Sequence, residues 1–259
     1  MVDRRDELAA NSGWPELVRK IRARTPARIL AGRAGAAYRT ETQMQLREDH
    51  ASARDAVRAE FDLRTSFGAE FIEEWKLFAV RTRASTKDEY LLHPSLGREF
   101  SDAARTEILQ RCSLNPDVQI AIGDGLSVPA IRAQVPGLLP LLLSGALARG
   151  WTVGQSFAVR YCRVGILNEI GELLTPRVAI LLIGERPGLA TAESLSAYMA
   201  YQPRMAHSDA NRNLISNIHA RGLNAEEAAA RILNLCARMM KLGGSGYSLK
   251  EAPAILEGR

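Results

Sequence analysis

The chain has 259 residues, 46% of them hydrophobic and 24% charged; that is enough to bury one sizeable core or two modest ones and excludes intrinsic disorder as the main state. The net charge is +5, carried mostly by arginine, since Lys20, Lys76, Lys87, Lys241 and Lys250 are the lysines; no basic cluster is interleaved with aromatics, which argues against a nucleic-acid partner. Cys112, Cys162 and Cys236 are too far apart for a disulfide framework or a CxxC pair, no uninterrupted apolar run reaches the ~18 residues of a membrane span, and the opening Met1-Val2-Asp3-Arg4-Arg5 lacks the apolar segment of a secretory signal, so a soluble cytoplasmic protein without a membrane partner is expected.

Trp14-Pro15 followed by Leu17, Val18 and Ile21 predicts a short amphipathic helix. From residue 42 onward, Met44, Leu46, Ala53, Ala56 and Val57 oppose Glu48, Asp49, Arg54 and Asp55, which predicts a second. Residues 61–83 mix aromatics with charges and stay unassigned, with Thr65-Ser66-Phe67-Gly68 marking a loop or a break between helices. Tyr90-Leu91-Leu92-His93-Pro94 reads as a short strand closed by proline, and residues 101–114 as a helix that Asn115-Pro116 ends.

An alternating rhythm follows. Strands are predicted at 118–122, 157–161 and 178–183, and helices at 135–148, 168–174, 193–201 and 225–240, the last opened by Asn224 with Glu227 three residues on. Strands separated by helices imply an α/β fold: a mostly parallel sheet with flanking helices, Rossmann-like, over residues 115–259, preceded by a mainly helical region over 1–114.

In such a sheet, ligands sit at the carboxyl ends of the strands. Gly123-Asp124-Gly125-Leu126-Ser127 and Gly184-Glu185-Arg186-Pro187-Gly188 both follow predicted strands. Two readings stand for each: a ligand-facing loop with Asp124 or Glu185 as acceptor, or a tight turn whose glycines supply unusual backbone angles. Neither loop matches G-x-G-x-x-G or a P-loop. His50, His93, His207 and His219 show no metal-ligand spacing, and Ser127 and Ser216, without a nucleophile elbow, read as caps. Residues 209–219 are dense in asparagine and arginine, either as a long loop with Asx turns or as a polar rim for a ligand or another chain. No catalytic constellation and no metal site is evident.

Taken together, these motifs resemble a known family. Thr25-Pro26-Ala27-Arg28-Ile29, Gly32-Arg33-Ala34-Gly35 and Asp49-His50-Ala51, then Asn115-Pro116-Asp117-Val118-Gln119, the two glycine loops, Val159-Arg160-Tyr161, Ile170-Gly171-Glu172 and Ile215-Ser216-Asn217-Ile218-His219, occur in the order and spacing of the small (light) subunit of ethanolamine ammonia-lyase. The resemblance covers about residues 25–241.

That resemblance implies a lyase that converts ethanolamine to acetaldehyde and ammonia by radical chemistry, with adenosylcobalamin as cofactor and a large subunit holding substrate and most catalytic groups. This chain would be the non-catalytic partner that closes over the cobalamin, in a hetero-oligomer with the large subunit and further copies of itself. Residues 1–114 would then serve large-subunit contacts and assembly, and 115–259 the cobalamin. Carried over residue by residue, the cofactor positions fall on Val164, Glu185 and Leu214. Some relatives have cysteine at the last position, so Leu214 would make its contact through the backbone. Cys162 replaces a glycine of the R-Y-G-R-V run, and Asn168 an aspartate of some relatives. The D-x-H-x-x-G signature is absent, so the cofactor is expected to keep its own base on cobalt. The chain starts close to the shared region, without the extension of relatives packaged into microcompartments, which favours the cytoplasm. The alternative function is a stand-alone α/β nucleotide-dependent enzyme.

Overall fold

The computed structural model describes residues 14–25 and 29–251; Pro26, Ala27 and Arg28 of the first shared motif lie outside them. The N-terminal segment contributes α1 (Trp14–Ala23), a hairpin of β1 (Arg33–Ala34) and β2 (Ala37–Tyr38), α2 (Thr40–Arg58) and α3 (Leu63–Trp75). The break anticipated around Gly68 is a kink inside α3, where Gly68 takes φ 77° and ψ 162°, a conformation that side-chain-bearing residues rarely adopt.

Then come β3 (Phe78–Arg81), α4 (Lys87–Leu92), a 3-10 turn (Pro94–Arg98), α5 (Asp102–Arg111), β4 (Val118–Gly123), α6 (Val128–Leu147), β5 (Phe157–Arg160), α7 (Ile166–Leu174), β6 (Val178–Gly184), β7 (Leu195–Tyr201), β8 (Asn213–Ile218) and α8 (Ala225–Leu242). The main sheet has six strands in the order β3-β5-β4-β6-β7-β8. The first four are mutually parallel, while β7 and β8 each pair antiparallel with their neighbour. The fold is therefore α/β with a mixed sheet, and the region before residue 115 supplies its edge strand β3.

Every residue of β4 and β6 is buried, which is why both read as unbroken apolar runs. Alternate side chains divide between two cores. Ile120, Ile122, Ile180 and Leu182 meet α6 and α8 through Ile131, Leu138, Leu142, Ile232 and Met239. Ala121, Val159, Ala179 and Leu181 meet α5 and α7 through Ile108, Ile166, Ile170 and Leu174. Burying each large aliphatic side chain contributes about 1.5–3 kcal/mol. By length and composition α6 could cross a membrane, but Ile131, Val135, Leu138, Leu139 and Leu142 on it are buried in this core.

Two predicted elements are corrected. Residues 193–201 do not form a helix: Leu195–Tyr201 is strand β7, in register with β6 from Gly184↔Leu195 to Val178↔Tyr201. Leucine, alanine and methionine favour helix locally, but Leu195, Ala197 and Met199 alternate with Ser196, Tyr198 and Ala200, and pairing with β6 overrides propensity. Residues 90–94 are not a strand either. Thr86 caps α4 by accepting from the Glu89 N–H, while the Glu89 carboxylate accepts from the Ser85 N–H. The Thr86-Lys87-Asp88-Glu89 spacing is the sequence signature of such a start.

Candidate functional site: a cleft at the carboxyl ends of the strands

Register places the loops that matter side by side. Pairing of β4 with β6 sets Gly123 opposite Ile183, and pairing with β5 sets Gly123 opposite Val159. The loops after β4, β5 and β6 thus meet at one end of the sheet, as open parallel sheets require. They pack tightly: a Cβ on Gly125, which has φ +55°, would come within 2.3 Å of the Gly184 carbonyl oxygen, and one on Gly184 within 2.1 Å of that of Ser127. These two glycines serve the contact between loops.

Between the loops lies a cleft of about 430 Å³, formed by Tyr90, Gly125, Leu126, the 162–164 turn, residues 183–186, and Ser196, Tyr198, Leu214 and Ser216. Val164, Glu185 and Leu214, fifty residues apart from first to last, all line it. Val164 is half-buried. Leu214 pairs with Tyr198 across β7 and β8 and is 46% exposed.

Glu185 is held on both oxygens. Its Oε2 accepts from Ser194 Oγ at 2.8 Å, and its Oε1 from Ser196 Oγ at 2.5 Å and from the Asn217 N–H at 3.1 Å. A carboxylate has about four acceptor sites, so about one is left for a donor in the cleft. Burial, together with the Glu185 charge, raises the Tyr198 phenol above its ordinary range, leaving a neutral hydroxyl on the cleft wall.

Asp124, the other acidic residue of the glycine loops, does not face a ligand. It is fully buried; Oδ2 accepts from the Tyr161 N–H at 2.9 Å and Oδ1 from the Cys162 N–H at 2.8 Å. For this loop the turn reading is the correct one. Ser127 is a cap, as expected: it opens α6 by accepting from the Ala130 N–H and donates to the Ala192 carbonyl. Ser216 is not; it sits exposed on β8 in the cleft.

Residues 209–219 are neither a long loop nor wholly a rim. A 3-10 turn (Asp209–Asn211) leads into β8, which sends Ile215 and Ile218 into the core and Leu214 and Ser216 to the cleft. Asn213 spends its amide on the backbone of Gly246 and Leu249. His219 is buried, with Nε2 2.8 Å from Asn217 Oδ1 and Nδ1 accepting from the Arg221 N–H. Burial and the neighbouring Arg221 push its imidazole down, so it packs as a neutral ring.

The two departures from the shared motifs also have places. Cys162 is buried, and a Cβ on Gly123 would stand only 2.7 Å from its Sγ, so its side chain fills space under the β4 loop. Asn168 donates to the His207 carbonyl at 2.8 Å and accepts from Arg212 at 2.8 Å. Among the described residues no group of three or more His, Cys, Asp and Glu is placed to hold a metal ion. Sequence reasoning missed Ser196, Tyr198 and Arg163 on the cleft wall; the first two become legible once 195–201 is read with period two.

Residues 15–250 match the family described as ethanolamine ammonia-lyase light chain (EutC). The chain is 43% identical over 243 residues to the ethanolamine ammonia-lyase small subunit of Clostridium perfringens, covering 94% of this chain and 80% of that one. It is 42% identical to the small subunit of Clostridioides difficile, covering 95% and 82% of the two chains, and 40% identical to that of Clostridium acetobutylicum, covering 91% and 95%. With the match spanning the sheet, its helices and all three strand-end loops, the chain belongs to the ethanolamine ammonia-lyase small-subunit family.

Proposed function

We propose that this chain is the cofactor-side subunit of a two-chain, adenosylcobalamin-dependent ethanolamine ammonia-lyase, which converts ethanolamine to acetaldehyde and ammonia. The observation that carries the reading is the convergence of Val164, Glu185 and Leu214 on one cleft at the strand ends. A corrin presents a fringe of amides and an apolar face, and the residues present fit an edge of it. Glu185 keeps about one acceptor site for an amide N–H, Ser216 offers an exposed hydroxyl, and Leu126 and Val164 offer aliphatic contact. The volume is at the small end of drug-sized sites, so this chain covers one side of the group and a large subunit the other.

When bound, adenosylcobalamin supplies the radical chemistry. This chain's residues bind the group and exclude water: Glu185 orients an amide of the rim, Val164 shields the apolar face, and Leu214 makes its contact through the backbone. Catalytic groups and substrate belong to the large subunit. For that partner the N-terminal segment offers an exposed apolar surface, with Leu17, Ile29, Leu30, Tyr38 and Met44 open to solvent. Further copies of this chain complete the hetero-oligomer, in the cytoplasm.

The test is reconstitution. Purified alone, the chain is expected to release no acetaldehyde from ethanolamine; mixed with a large subunit of the same enzyme and adenosylcobalamin, it is expected to restore turnover. Equal turnover by the large subunit without this chain refutes the reading.

A further inference from the structure

The 161–164 turn, which delivers Arg163 and Val164 to the cleft, has an unusual start. Tyr161 takes φ 59°, a left-handed conformation that costs a side-chain-bearing residue energy and persists only when its surroundings over-determine it. The surroundings do so. Asp124 accepts from the successive N–H groups of Tyr161 and Cys162, Thr82 Oγ1 donates to the Tyr161 carbonyl at 3.0 Å, and the Arg163 N–H donates to the Gly97 carbonyl at 2.8 Å.

The carboxylate at the centre of this arrangement has no access to water, and a buried charge needs a counter-charge. That is Lys87, the first residue of α4, whose Nζ lies 3.8 Å from Asp124 Oδ2; the two side chains are 7% and 0% exposed. At that distance the contact is a charge pair and not a hydrogen bond. Lys87 Nζ is itself buried without a hydrogen-bond partner, and it lies over the rings of Tyr90 at 5.2 Å and Tyr161 at 5.9 Å. From the same helix, the Tyr90 hydroxyl stands 2.9 Å from both the Gly125 and the Cys162 carbonyl oxygens, so its single proton bridges the β4 and β5 loops. The Tyr90 hydroxyl holds backbone directly, whereas Lys87, which is not among the residues lining the cleft, acts on backbone through Asp124.

We propose that Lys87 is a positioning residue of the cleft: its ammonium neutralises Asp124, Asp124 clamps the Tyr161-Cys162 turn, and the clamped turn presents Arg163 and Val164 to the bound group. The identity of that group rests on the cobalamin reading; the clamp itself does not.

The experiment has an arm for each. In the full chain without cofactor, Lys87→Met is expected to speed amide hydrogen exchange in a peptide covering 157–165 by about tenfold or more, with exchange in 178–184 changed by less than about twofold. In the complex with the large subunit, the same variant is expected to weaken binding of hydroxocobalamin about tenfold. Unchanged exchange at 157–165, or equal loosening of both peptides, overturns the clamp. Wild-type cobalamin affinity in the variant complex overturns the positioning role. Should the wild-type complex bind no cobalamin while 157–165 alone loosens, the clamp stands and the cobalamin reading falls. If Lys87→Met does not fold, Tyr90→Phe keeps the volume and removes the bridging hydroxyl; about threefold faster exchange confined to 157–165 supports the clamp, and none overturns it.

Discussion

The loops after β4 and β6 share a pattern, a glycine followed by an acid, and the structure puts them to opposite uses. In the β4 loop, Asp124 is sealed under α4 with both oxygens spent on the turn that begins at Tyr161. In the β6 loop, Glu185 is half-buried at the rim, held by Ser194, Ser196 and the Asn217 N–H, with about one acceptor site to spare. What packs over each loop decides the difference. An acid under a covering helix becomes part of the scaffold; an acid at an open edge can meet a ligand.

The comparison can be broken by mutation. Asp124→Ala leaves Lys87 buried without its counter-charge and the two amide groups unpaired, and is expected to cost about 3–5 kcal/mol in stability, read by urea unfolding. A loss below about 1 kcal/mol would show that the two loops are energetically alike. Glu185→Ala is expected to act on binding instead. Losing a hydrogen bond from a neutral amide to a charged acceptor costs about 1.5–3 kcal/mol, or ~10- to 150-fold in cobalamin affinity of the assembled complex. Unaltered affinity would remove Glu185 from the site.

Leu214→Ala sharpens the contrast further, because a side chain this exposed contributes little to the core. A stability change within about 0.5 kcal/mol is expected, and, if the contact is made by backbone, a cobalamin affinity within about threefold of wild type. A tenfold loss would show that the side chain itself makes the contact.

The smallest effect is a pH dependence at the opposite end of β4. Thr152 donates its N–H and hydroxyl to Asp117, which also pairs with Arg177, and these contacts, the Thr152 N–H foremost, hold its carboxyl below the ordinary aspartate range. A depressed folded-state pKa adds stability that is present above the ordinary aspartate value and disappears as pH falls through the folded one. Asp117→Asn should therefore lower stability at neutral pH and flatten its decline between about pH 5 and 2; an identical slope in both proteins would show that Asp117 does not contribute.

Much of this was readable in the chain. The apolar runs at 118–122 and 178–183 read as strands and are strands, Asn224 and Glu227 set the start of α8, and Gly68 marked a break that the structure shows as a kink. The cleft positions Val164, Glu185 and Leu214 came from the resemblance, since three residues on three elements have no local pattern. The helix expected at 193–201 failed where weak local preference met an outside constraint, the open edge of β6; the strand at 90–94 failed against a local one, the Thr86 cap that opens α4.

By itself the sequence determined which segments are apolar enough to be interior and with what period, because burial and backbone pairing repeat every two or 3.6 residues along a chain. Tertiary structure alone decided which acid is scaffold and which is rim, and that a lysine thirty-seven positions before Asp124 would neutralise it. Charge pairing and solvent exclusion act through space, and adjacency in space is created only when the strands come into register.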